Sequence, residues 1–101
     1  MNTTVTARHC EIAEDVRRRA TELIDRLARL AHRPQRAEVV FNDDHQRKVV
    51  ELIMHLPRGH TRVASAEASD FQGALDLAVD KLRHQLEKDA GRLADRRKAA
   101  K

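Results

Sequence analysis

Along this chain the spacing of apolar residues changes from two to about 3.6, returns to two, and changes again to about 3.6. That succession leaves few folds open, because a period of two belongs to strands and a period of 3.6 to helices. "NTTVTAR" (2–8) is β-branched and alternating, which predicts a first strand with Val5 facing inward. "IAEDVRRRATELIDRLARLA" (12–31) repeats Ile12, Val16, Ala20, Leu23, Leu27 and Leu30 every three or four residues, and Glu14 and Asp15 stand in its first turn, where the helix dipole favours acids. That pattern ends before Pro34. "RAEVVFND" (36–43), "KVVELIMHL" (48–56) and "RVASAEA" (62–68) read as three strands, joined by the turns "DDHQR" and "PRGH". "SDFQ" then reads as a capping box with Ser69 as N-cap and Gln72 three residues on. It opens a helix that runs from about Phe71 into the nineties.

The order is β-α-β-β-β-α. Its simplest packing is an α+β sandwich with two helices on one face of a four-stranded, mostly antiparallel sheet. Hairpins join strands two to four, and the crossover helix lets the first strand pair in parallel with one of them. A length of 101 residues suits one domain. We take residues 1–93 as that domain and "ADRRKAAK" (94–101) as a short, basic, disordered tail.

Charged residues make up 36% of the chain and the net charge is +4, so arrangement matters more than total. The last helix sorts its charges. Phe71, Leu75, Ala78, Val79, Leu82, Leu86 and Leu93 fall in one arc that faces the sheet. Lys81, His84, Lys88 and Arg92 line one flank, while Asp76, Asp80 and Glu87 gather on the other with Arg83 beside them. A helix charged only for solubility more often mixes signs at i, i+4. On the first helix Arg18, Arg19, Arg26, Arg29 and Arg33 share a flank interrupted by Asp15 and Glu22. If the helices lie side by side, the two basic flanks could join into one phosphate-facing surface. The bland alternative is a solvated charged face.

Phe41 and Phe71 are the only aromatics, and both fall at positions that read as core. Readers of unstacked bases need aromatic platforms. An RNA-binding role for this chain would therefore rest on backbone and shape.

An enzyme is not expected. His9 and Cys10 are adjacent on a strand end and point in different directions, and the remaining histidines show no metal-ligand spacing. No metal or cofactor is expected. A single cysteine excludes an internal disulfide and fits a reducing compartment. With no membrane span and no apolar leader, the expected location is the cytoplasm. The competing reading is a protein-interaction module. Val40, Val49 and Ile53 alternate with the core set Val39, Phe41, Val50, Leu52 and Met54, so apolar groups reach the outer sheet face, where a weak homodimer could form.

"ASAEASDFQGALDLAVDKLRHQLEKDAGR" (64–92) resembles the ending of the short ribosome hibernation promoting factors, relatives of the ribosome-associated inhibitor of translation. That family shows an A-E-A-type strand, then "DMYAAID", "DKL", "RQL" and a lysine. Its first helix opens with an "E-I-T-E-A-L-R" pattern that "EIAEDVR" (11–17) echoes. The resemblance implies a fold like a double-stranded RNA-binding domain. It also implies docking on the small ribosomal subunit, in the mRNA and tRNA channel, to hold ribosomes idle in stationary phase or stress. Basic residues of both helices would face rRNA. By position these are Lys81, Lys88 and Arg92 on the last helix and Arg17 and Arg26 on the first, with His84 standing where relatives commonly carry arginine. Other departures are Ala90 and Leu23 at frequently basic positions, and Gln72 and Gly73 in place of "Y-A". Arg18 and Arg19 are additions, and with Arg29 they shift the expected rRNA-binding surface toward the first helix. Long members add a domain that pairs ribosomes. This chain, ending at Lys101, is expected to lack it and to need a separate ribosome-dimerising factor. An older label of the family, modulation of an alternative sigma factor, would suit the protein-interaction reading.

Overall fold

A computed structural model of the chain describes the backbone of residues 1–99 and the side chains of residues 1–91. The elements follow the order read from the sequence: β1 (Asn2–Arg8), α1 (Glu14–Ala28), β2 (Arg36–Asp44), β3 (Arg47–His55), a 3₁₀ turn (Pro57–Gly59), β4 (Thr61–Ala68) and α2 (Phe71–Ala99). α2 thus extends into the stretch expected as a tail. The side chains of that stretch, with those of Leu93 and Arg92, lie outside the described residues.

The sheet order is β1-β2-β3-β4, so β1 and β4 are its two edges. β1 pairs with β2 in parallel, as a strand returned by a crossover helix must, and the other two pairings are antiparallel. The β2–β3 hairpin closes through only His45 and Gln46, since Asp44 faces Arg47. His45 takes φ 56°, the left-handed conformation that so short a turn requires. Pro57 opens the β3–β4 connection, where Arg58 and Gly59 both have positive φ, 64° and 75°.

Alternation decides the layers. Val39, Phe41, Val50, Leu52 and Met54 point to the helices and are buried, as expected from the sequence, and Ala37 joins them. Val40, Val49 and Ile53 face the other way and keep partial exposure, and Val63 beside them on β4 is 48% exposed. α1 contributes Ala20, Ile24 and Leu27 to the core, and α2 contributes Ala74, Leu75, Ala78, Val79, Leu82 and Leu86. Phe41 and Phe71 meet edge to face with ring centroids 5.4 Å apart, so the only two aromatics are spent on packing.

Three local expectations are corrected. Leu30 is 41% exposed and Ile24 takes its place in the core, because α1 ends at Ala28 and Leu30 falls in the turn that follows. The same early end removes Arg33 from the helix flank, and it stands in the connecting loop with φ 51°. The cap of α2 is Asp70, not Ser69. The Asp70 carboxylate accepts the Gly73 N–H at 2.7 Å, the bond from an N-cap to N3.

Candidate nucleic-acid interface

On β4 the core-facing positions are Ala64, Ala66 and Ala68, and opposite them α2 presents Ala74 and Ala78. Small residues on both sides let the helix lie close to this edge strand. The consequence is seen in the hydrogen bonds. Lys81 donates to the Ser65 carbonyl at 2.9 Å, and the Gln85 amide donates to the Val63 carbonyl at 2.9 Å. These are carbonyls of the open edge, and α2 covers them with side chains. At the opposite edge, Arg17 of α1 donates to the Val5 carbonyl of β1 at 3.2 Å. Both exposed edges are thus capped by a cation or amide hung from a helix, which hinders pairing with another chain.

The charges of α2 sort differently from the simplest expectation. Arg19 of α1 lies 3.1 Å from Asp76 of α2, so the acidic flank of α2 turns toward α1. Helical spacing puts Glu87 on the same side as Asp76. Lys81 belongs to the opposite flank, over the β4 edge. The two basic flanks therefore do not join. α1 turns Arg19 to an acid, and the lysines of α2 face away from it.

The candidate residues separate by their partners. Arg17 is half-buried and tied to β1, Arg19 is paired with Asp76, and Lys81 is tied to β4 while keeping two further N–H donors on its ammonium. His84 lies on the solvent side of α2 with its Nδ1 2.8 Å from the Asp80 carbonyl oxygen and 3.7 Å from the Asp80 carboxylate. Asp80 also pairs with Arg83. Arg18, Arg26, Arg29 and Lys88 are exposed and have no carboxylate partner among the described residues. Arg29 is the C-cap of α1, where its charge also meets the negative end of the helix dipole. Arg92 was expected to extend the Lys88 flank, and its side chain is outside the described residues.

Gln85 was not singled out in the sequence. Its position four residues after Lys81 puts it on the same flank, which is the signal that would have found it. Nearby, Arg62 on β4 holds Asp89 of α2 at 2.6 Å, a contact that raises the guanidinium's already high pKa. On the outer sheet face His55 and Glu38 lie 2.9 Å apart, and this hydrogen bond holds the Glu38 carboxyl below its ordinary value.

No group of His, Cys, Asp or Glu among the described residues is arranged to hold a metal ion. No helix among them is long and apolar enough to cross a membrane.

This geometry has known counterparts. A family model described as Sigma 54 modulation protein / S30EA ribosomal protein matches residues 3–94. The chain belongs to that family. Its fold is shared with a ribosomal subunit interface protein from Coxiella burnetii, at 26% identity and a TM-score of 0.78, over 90% of this chain and 99% of that one. It is also shared with the N-terminal domain of Thermus thermophilus Protein Y, at 28% identity and a TM-score of 0.75, over 87% of this chain and 98% of that domain. No curated protein matches the sequence. The family is described by a ribosomal protein, and the Coxiella burnetii neighbour is a ribosomal subunit interface protein.

Proposed function

We propose that this protein associates with the ribosome and docks on rRNA of the small subunit, in the channel that mRNA and tRNA use. There it blocks translation and preserves idle ribosomes in stationary phase or stress. The observation that carries the rRNA contact is a group of exposed cations on the two helices and the α1 C-cap, Arg18, Arg26, Arg29 and Lys88, whose side chains have no hydrogen-bond or carboxylate partner among the described residues. Guanidinium groups suit phosphate through their planar fork, which favours the three arginines. Lys81 joins them through its spare donors, and Arg92 extends the set by position.

The mechanism is occupancy. A compact wedge with cations on its helical layer neutralises phosphates and releases their counterions, so binding weakens steeply with salt, by a slope of roughly 0.7–0.9 per phosphate contacted. Both aromatics are buried or packed against the core, so recognition rests on the shape of the rRNA. Residues 94–101 are in this reading a short basic tail.

Competition tests the channel directly. Purified small subunits preloaded with the protein should retain less tRNA and mRNA fragment in filter binding, in proportion to occupancy. Retention of both ligands at full occupancy would remove the channel from the proposal.

A further inference from the structure

One concave surface lies at the C-terminal end of α1. The loop after α1, the β3–β4 turn and the α2 segment around Leu86 enclose an open groove of about 770 Å³, a volume in the range of small-molecule sites. Its floor is apolar, built from Leu30, Leu56, Pro57 and Leu86. Its rim is cationic. Arg33 and His32 stand on one wall, Arg58 and His60 on the other. The one carboxylate among its described lining residues is Asp89, and Arg62 already holds it at 2.6 Å.

Arg33 and Arg58 share a second property. Both adopt left-handed backbone, φ 51° and 64°, at a cost that glycine or asparagine at the same positions would avoid. Arg33 stands four residues past the C-cap of α1, beyond the reach of the helix dipole, and Arg58 and His60 lie on the facing wall, so the helix end does not account for this rim. A bare phosphate would leave the apolar floor unused, and an apolar peptide would leave the rim unpaired.

We propose that this groove takes one unpaired nucleotide of an RNA strand, the base lying on Leu30, Leu56 and Pro57 and its phosphates meeting Arg33 and Arg58. The site rests on the ribosomal reading and adds to it. Phe41 and Phe71 are committed to packing, so this apolar floor gives a base the contact surface that aromatic platforms supply elsewhere.

The test is an NMR titration of the full ¹⁵N-labelled chain with a single-stranded oligouridylate of about eight nucleotides, in the range one small domain covers. An abasic ribose-phosphate strand of the same length runs in parallel. Amide shifts should concentrate at Leu30–Arg33 and Leu56–Arg62, and the abasic strand should bind more weakly. Arg33→Gly/Arg58→Gly should lower affinity for the oligouridylate about tenfold at low salt, while melting no earlier than wild type because glycine accepts both φ values. Leu30→Asp, at an exposed position, should weaken binding in the same way should the glycine variant melt early. Shifts confined to the solvent faces of α1 and α2, equal binding of the abasic strand, or an unchanged affinity of the variants would overturn the groove. Sedimentation of wild type with small subunits separates the two claims. Pelleting without groove shifts leaves the ribosomal reading and removes the nucleotide site, whereas groove shifts without pelleting do the reverse.

Discussion

Arg19 of α1 and Asp76 of α2 pair across the helical layer at 3.1 Å, and this contact gives half of the α2 charge pattern a structural reason. The acids of α2 face the arginine flank of α1 and help set which side of each helix meets the other. Both side chains are about half exposed, so the pair is worth only about 0.2–1 kcal/mol. Arg19→Asp should destabilise the protein in urea unfolding, and Arg19→Asp/Asp76→Arg should recover most of the loss. A double-mutant cycle with no coupling would show that packing alone orients the helices.

The edge caps make a separate prediction. Lys81 and Gln85 cover the Ser65 and Val63 carbonyls of β4. Lys81→Met/Gln85→Leu keeps much of the helical packing but uncovers that edge beside the exposed Val63. The variant should associate with rising concentration in sedimentation velocity, while wild type shows less association. Equal behaviour would mean that α2 blocks the edge by its bulk alone.

Asp70 is expected to matter and Ser69 is not. Asp70→Ala removes the acceptor of the Gly73 N–H and should cost about 1 kcal/mol in thermal or urea unfolding. Ser69→Ala should change stability by less than about 0.5 kcal/mol, as for exposed positions without such a bond. A larger loss at Ser69 would restore the capping box read from the sequence.

Glu38 supplies a pH dependence. The hydrogen bond with His55 is the main cause of its lowered pKa; burial opposes it as the second-largest effect, and the charges of His55, Arg36 and Arg8 add to the lowering. A carboxyl whose pKa falls on folding stabilises the native state above its unfolded pKa, and that contribution is lost as pH falls through the folded value. Glu38→Gln should therefore lower Tm by about 2 °C at neutral pH, a modest shift for a partly exposed pair. The gap should narrow as pH falls below the ordinary carboxylate range and close once pH passes the lowered folded value, where wild type is protonated as well. A gap that persists at low pH would point to packing instead.

The element order was legible because each segment has one dominant period. Val39, Phe41, Val50, Leu52 and Met54 could be assigned inward from alternation alone, and all five are fully buried. Errors arose where two local signals compete. Ser69 and Asp70 are both good N-caps, and only the backbone geometry at Gly73 separates them. Leu30 continues the helical period of α1 past the point where the helix stops, so periodicity placed it in the core. The two charged flanks of α2 were legible, but not which of them meets α1 or which of their cations are taken up by partners. Those depend on how α2 turns toward α1 and how closely it lies to β4, and both are tertiary facts. A lysine that caps Ser65 and a lysine open to solvent look the same in sequence.

The most direct test of the account is co-sedimentation with purified small ribosomal subunits across a KCl series, comparing wild type, Arg26→Glu/Lys88→Glu and Arg19→Ala. Wild type should pellet at low salt and release steeply as salt rises. The Arg26→Glu/Lys88→Glu variant should stay in the supernatant, and Arg19→Ala, whose charge is already paired with Asp76, should follow wild type. Pelleting of the charge-reversed variant with wild-type salt dependence would contradict the assignment of the open cations as the grip on rRNA.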